Sequence, residues 1–356
     1  MLRVTAIASG SNHTCAVTTS GAAKCWGDNT YGQLGSAGAY LSAIPKDVIG
    51  LSSGVVSITA GDGYSCAVTS AGAAKCWGNN AYGKLGNNNT MNSPTPVDVA
   101  GLSSGVTAIS AGTAHTCAVV SGAARCWGYN SEGQLGNNTI GNSSKPVPVV
   151  GLTSGVASVS TDSGHSCAVT TGGAVKCWGR NTHGQLGTGG TGSPSLTPKD
   201  VSGLTAGVKA VTTGYGHSCA MLNSGYVKCW GRNSDGQLGT GDATSSNLPV
   251  NVMGLANAVE LTSFSSHNCV RTSVGAIKCW GRNTGGQLGN GSTVDSSSPV
   301  DVVGLASNTV ALTVGENHSC AVSTNGTVKC WGNNQRGQIG SEKLVNSVTP
   351  GEDIEY

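Results

Sequence analysis

Fourteen cysteines in a chain of 356 residues could build a disulfide framework, a set of metal sites or a row of reactive thiols. They fall into seven pairs: Cys15 with Cys25, Cys66 with Cys76, Cys117 with Cys126, Cys167 with Cys177, Cys219 with Cys229, Cys269 with Cys279, and Cys320 with Cys330. Every second member is followed at once by tryptophan and glycine, which uses all seven tryptophans. An even count with every member paired by position points to disulfides and an oxidising compartment. Each bridge closes a loop of about 10 residues, for roughly 2.5–3 kcal/mol in the chain-entropy model. Buried free thiols are the bland alternative. Zinc held by His13, Cys15 and Cys25 is the sharp one, but the short Cys-x₂₋₄-Cys element of zinc sites is missing and repeat 2 carries Tyr64 at the histidine position.

Six histidines occupy one repeated position: His13, His115, His165, His217, His267 and His318. A catalytic centre breaks symmetry, so this repetition reads as loop bracing. No nucleophile-elbow, zinc-protease or phosphate-loop motif is present, and no cofactor is expected. Of the histidines only His183 departs from the repeated position. Arginine does vary around the chain. The residue after Trp-Gly runs Asp28, Asn79, Tyr129, Arg180, Arg232, Arg282, Asn333, so three consecutive units place an arginine equivalently. The same loops supply Tyr31, Tyr82, Glu132, His183, Asp235 and Arg336, and companion loops supply Tyr64, Tyr215 and Glu316. Tyrosine and arginine dominate interface hot spots. The candidate binding set is therefore Arg180, Arg232 and Arg282 as a charged arc, with Tyr31, Tyr82, Tyr129, His183 and Arg336. Ordinary solvated loop residues are the competing reading.

The elements that position these residues follow from the repeat. Successive first cysteines are 51, 51, 50, 52, 50 and 51 residues apart, giving units of approximately 1–50, 51–101, 102–151, 152–203, 204–254, 255–304 and 305–356 in a single domain. Each unit reads as short strands separated by Gly/Asn/Ser turns. The expected fold is all-β, a seven-bladed β-propeller with four antiparallel strands and one intrablade disulfide per blade. An open β-solenoid competes, though its repeats run shorter. Cys15 and Cys25 face each other if paired residues sum to 40, which leaves Thr19-Ser20-Gly21 as the hairpin loop with glycine at a left-handed position. In repeat 3 the cysteines are one residue closer, and a two-residue Ser121-Gly122 turn keeps them opposite. Each tryptophan is expected to pack against the adjacent blade, near its cystine.

An aliphatic residue flanked by small ones marks each inner strand, as in Ala6-Ile7-Ala8. Glycine follows at Gly10, Gly61, Gly112, Gly214 and Gly315, whereas repeat 4 has Asp162 and repeat 6 has Phe264. Glu260 and Lys209, charged residues within inner strands, are expected to be solvated or paired. After each tryptophan, Gly-x-Asn-x-x-Gly-Gln-Leu-Gly forms a loop in which Asn and Gln bond backbone and Leu plugs inward. Lys84 replaces the glutamine in repeat 2. Closure is expected from packing between the first and last blades, with no strand exchanged.

The run Gly-x-x-His-Thr/Ser-Cys-Ala-Val…Lys-Cys-Trp-Gly-x-Asn-x-x-Gly-Gln-Leu-Gly resembles the repeat of the RCC1 (regulator of chromosome condensation) family over all seven units. The resemblance implies a seven-bladed propeller. Members of that family include an exchange factor for a nuclear GTPase and a secreted bacterial inhibitor of β-lactamase. Two cysteines per repeat look like the extracellular bacterial branch, and no exchange-factor residue can be placed in this sequence.

Net charge is +2 and 10% of residues are charged, with no basic stripe, which argues against a phosphate-driven nucleic-acid binder. No run of about 18 apolar residues suits membrane insertion. Met1-Leu2-Arg3 leads directly into a strand, so the expectation is a removed leader or a segment of a longer secreted chain. The expected function is a secreted or cell-surface, non-catalytic binding scaffold. Its loop-rich face would recognise a protein partner, in an enzyme-inhibitor-like role among others, or an acidic glycan. A structural building block that self-assembles into an extracellular assembly or fibre is the alternative, and an enzyme on the same face is a further one. Non-reducing intact mass should be fourteen hydrogens below the reduced chain, two for each of seven cystines. Fourteen alkylatable thiols would refute the pairing.

Overall fold

The computed structural model describes residues 2–354. Blade 1 sets the pattern: β1 (Val4–Ser9), β2 (His13–Thr18), β3 (Ala23–Asp28) and β4 (Leu41–Asp47) form one antiparallel sheet in chain order. Each later unit repeats it, giving a seven-bladed β-propeller whose inner strands surround the axis. The hairpin register is as derived, with Thr14 opposite Trp26 and Cys15 opposite Cys25. Gly21 closes the loop with φ 80°. In blade 3 Cys117 still faces Cys126, and Ser121 and Gly122 both take positive φ, as a two-residue primed turn requires. All seven cystines form within blades, with Cα atoms 4.0–4.1 Å apart.

The core is seven similar clusters, one at each junction between blades. Trp77 of blade 2 lies in the cluster holding Cys15, Cys25 and Leu34 of blade 1. Each tryptophan thus packs on the cystine of the preceding blade. The reason is alternation: Trp and Cys are adjacent in sequence, so they leave the sheet on opposite faces. Burying both faces of every blade is what the closed ring accomplishes.

A polar relay crosses each junction beside the apolar cluster. Trp77 Nε1 and Ser65 Oγ both donate to the Gln33 carbonyl oxygen, at 2.9 and 3.0 Å. With its proton committed there, the Ser65 hydroxyl accepts from His13 Nε2 at 2.8 Å. The pattern recurs around the ring and closes from His318 to Thr14 and from Thr14 and Trp26 to the Gln338 carbonyl. At the junction of blades 5 and 6, Asn268 of blade 6 replaces the hydroxyl, accepting from His217 Nε2 and donating to the Gln237 carbonyl. The six histidines are fully buried in this bracing role. Their Nδ1 atoms have no partner, so each ring is neutral with the proton on Nε2. In blade 2 the Tyr64 hydroxyl reaches Thr116 at 2.9 Å, and Lys84 lies 4.7 Å above the Tyr64 ring. The two departures from the repeat are therefore one local substitution, with Lys84 also donating to the Asp62 and Thr113 carbonyls.

The seventh blade departs from four strands. Its sheet has three, Thr309–Val314, His318–Ser323 and Val328–Gly332, and the outer segment touches it through an isolated Gly332–Ser347 bridge and single bonds from Gly351 and Ile354. In blade 2, Val99 follows Pro96 by three residues and bonds Ala74; in blade 7, Ile354 makes the equivalent bond to Val328 four residues after Pro350. The extra residue, together with glycine where blade 2 has Val97, breaks the ladder. Closure needs no exchanged strand. Leu2 donates to Ile354, Val4 donates to Gly326, and both side chains join the cluster around Cys320 and Cys330. Glu260 is paired with Arg271 at 2.8 Å, and Lys209 is exposed.

Desolvation pushes His13, His115, His165, His267 and His318 down to about 3, and His217 to about 4. Between these values and 6.5 the unfolded chain binds protons that the folded ring refuses, so stability falls as pH falls through that window. Near pH 5 the six rings together favour the unfolded chain by up to six protons. Asp162 and Glu316, pushed upward, act with the opposite sign and offset part of the slope. Urea midpoints measured from pH 7 to pH 4 should drop steeply; a flat profile would contradict the neutral buried relay.

Candidate functional site

The Asn of each Gly-x-Asn loop is a buried spool. Asn130 accepts from Leu135 N and donates to the carbonyls of Thr139 and Gly141. Gln134 accepts from Glu132 N, and the same bond recurs in every blade except blade 2, where Lys84 cannot accept. There Tyr82 takes φ 65°, a left-handed value unusual for a bulky residue. These bonds hold the loop after β3 and its equivalents, which share one face of the disc with the loops after β1 and its equivalents. The hairpin turns occupy the other.

The structure brings some of the predicted site residues together and separates others. Arg232 and Arg282 line one groove of about 520 Å³ with Tyr215, Asp235, Asp295 and Glu316. Arg232 lies 5.5 Å from the Tyr215 ring centre and pairs with Asp235 at 3.3 Å. Arg282 donates to Thr284 and has no ion-pair partner among the described residues. Arg180 sits one blade back, held by Glu132 at 3.1 Å, so the three arginines do not form one open arc. The exposed His183 ring lies between: partial burial first, then Arg232 and Arg180, hold it below its usual value. The Tyr82 and Tyr129 rings meet in a tilted contact with centroids 4.7 Å apart, Tyr31 lies over Gly63, and Arg336 is exposed apart from the groove.

Sequence reasoning noted Asp162, Phe264, Tyr215 and Glu316 singly but did not join them. All seven blades contribute to one cavity of about 230 Å³ on the axis, whose acids are Asp62, Asp162 and Glu316. The signal available was the pair of interruptions in the glycine series. Burial pushes Asp162 up to about 7 and raises Glu316. No group of three His, Cys, Asp or Glu side chains among the described residues is close enough to hold a metal ion. Among the described residues no helix is long and apolar enough to cross a membrane.

Comparison with known proteins agrees with the fold. The model of the RCC1-like domain matches residues 54–354, and models of the RCC1 repeat match 4–33 and 21–68. The chain is 30% identical over 254 residues to the ultraviolet-B receptor UVR8 of Arabidopsis thaliana, covering 70% of this chain and 46% of the receptor. It is 32% identical over 259 residues to the human E3 ubiquitin-protein ligase HERC2, covering 71% of this chain and 4% of the ligase. It therefore spans less than half of either relative. Among solved structures, yeast RCC1 (Prp20) bound to Kap60 superposes with TM-score 0.82 at 19% identity, covering 100% of this chain and 85% of that one. Human WBSCR16 does so with TM-score 0.80 at 22% identity, covering 90% and 87%.

Asn130→Ala should strand the Leu135 amide and two loop carbonyls. A loss of about 1–3 kcal/mol is expected, together with faster amide exchange confined to residues 130–141. Unchanged stability would show that the loop holds itself.

Proposed function

We propose that this chain, which belongs to the RCC1-like domain family, is a non-catalytic binding scaffold that recognises a protein partner outside the reducing cytosol. The observation that carries the reading is the groove between blades 5 and 6, where Arg232 and Arg282 flank the half-exposed Tyr215. Arginine and tyrosine on loops held by a buried spool offer contact area at small ordering cost. Seven cystines support an oxidising compartment, at the cell surface or secreted. Relatives of this shape contact proteins: the yeast structure is of RCC1 in complex with Kap60. An inhibitor-like mode, in which the face caps another protein's active site, belongs to this reading.

Mixed charge favours a protein over an acidic glycan. Arg180 and Arg232 are already paired to carboxylates, and the centre of the face is acidic, so in the groove a polyanion would meet Arg282 beside Asp235, Asp295 and Glu316. The six repeated histidines are fully buried in the bracing relay and cannot reach a substrate. The alternative of a self-assembling block predicts that purified chain forms rings or fibres at micromolar concentration.

Affinity capture with immobilised chain tests the binding reading. The combined variant Tyr215→Ala, Arg232→Ala, Arg282→Ala should lose a specifically retained protein by at least tenfold. Ser224→Lys and Val274→Lys, on the hairpin face, should retain it. Equal capture by both sets would overturn the assignment of the face.

A further inference from the structure

Where the inner strands end, a ring of backbone hydrogen bonds links neighbouring blades around the axis. Ser11 donates to Gly61, Asp62 to Gly112, Thr113 to Asp162, Tyr215 to Ser265 and Glu316 to Gly10, at 2.6–3.3 Å. The glycine series exists because of this ring. A Cβ on Gly10, Gly61 or Gly315 would lie 2.3 Å from the next blade's carbonyl oxygen. Among the described residues the ring lacks two links, from blade 4 to blade 5 and from blade 6 to blade 7. Those are the two blades in which glycine is replaced, by Asp162 and by Phe264, the one phenylalanine of the chain. Two bonds are given up, and both intruding side chains line the same axial cavity.

Asp162 is 1% exposed. Its Oδ1 accepts from Thr113 Oγ1 at 3.0 Å, whereas Oδ2 has no hydrogen-bond partner. The Ser265 backbone favours the ionised form but stands outside hydrogen-bond geometry. A buried carboxylate oxygen that no protein donor reaches costs free energy. Asp62 and Glu316 share the cavity, while Tyr215 and Phe264 give it an aromatic wall. Carboxylates and aromatic rings lining one cavity suit an organic cation with an alkyl stem: the carboxylates take the charge, and the rings take the stem and part of the charge.

We propose that this axial socket receives one lysine or arginine side chain of the protein partner. The proposal rests on the binding reading above for its source of the cation, but the socket can be tested without the partner. Methylguanidinium and n-butylammonium chloride serve as probes, followed by saturation-transfer difference NMR with the intact, oxidised chain. One of the two should bind saturably, and Asp162→Asn should weaken it at least tenfold while keeping the Thr113 bond and the melting temperature. Glu316→Gln, at a more exposed wall, should weaken it less.

The pH dependence gives an independent readout. Asp162 faces Asp62 and Glu316 in the cavity that Tyr215 also lines, with Arg282 acting on Glu316. Its carboxyl holds a proton up to about 7, so probe affinity should rise from pH 6 to pH 8 in the native chain and stay flat in Asp162→Asn. No saturable binding, or equal binding to both chains, would overturn the socket even if partner capture succeeds. Competition by calcium at low concentration would overturn it in favour of a metal site. Loss of partner capture in the Arg232→Ala, Arg282→Ala double variant, which keeps the Tyr215 wall, with probe binding intact would leave the socket standing.

Discussion

At each junction between blades, one backbone carbonyl accepts two hydrogen bonds from the following blade, one from an indole and one from a hydroxyl or amide. The carbonyl belongs to the residue before the plugging leucine, so its position is set by the loop of one blade while the donors are set by the strands of the next. A buried histidine or tyrosine from the first blade reaches the side-chain donor. Apolar packing alone tolerates sliding. A doubly loaded carbonyl does not, because a displaced donor in a dry interface keeps its full desolvation cost. This relay fixes the angle between blades, and seven equal angles close the disc.

The cystine serves the same junction from the apolar side. It ties β2 to β3 beneath the tryptophan of the next blade, so that a covalent link inside one blade presents a defined surface to its neighbour. The cross-strand Lys–Asp pairs between third and fourth strands have exposed aspartates, as at Lys75–Asp98, and contribute little by comparison. With the frame held this firmly, the loops on one face are free to vary, and asymmetry concentrates there: Arg232 and Arg282 in one groove, Tyr82 and Tyr129 in tilted ring contact elsewhere, three acids at the axis.

Blade 2 shows how far substitution can go inside the relay. Tyr64 replaces histidine and Lys84 replaces glutamine; the hydroxyl still reaches the next blade, and the ammonium is carried by the tyrosine ring and two carbonyls. Burial lowers Lys84 to about 8. The loop bond that glutamine made is lost, and in the same loop Tyr82 adopts a left-handed backbone. The two changes make sense as a pair and neither does alone.

The chain by itself determined the repeat, the hairpin register, the pairing of every cysteine and the structural role of the Asn, Gln and His series, because these depend on neighbours a few residues apart and on a period that recurs seven times. The spool at Asn29 and the loop at Gly21 were legible for that reason. Only the tertiary structure decided which blade each tryptophan and histidine touches, that Arg180 is taken up by Glu132 while Arg232 and Arg282 share a groove, and that Asp162 and Phe264 meet at the axis. Residues about 50 to 150 positions apart become neighbours through the closure of the ring, and a linear pattern carries no distance across it. Blade 7 is the same lesson in small: one added residue before Ile354 leaves the sequence pattern recognisable but breaks a ladder whose geometry has no room for it.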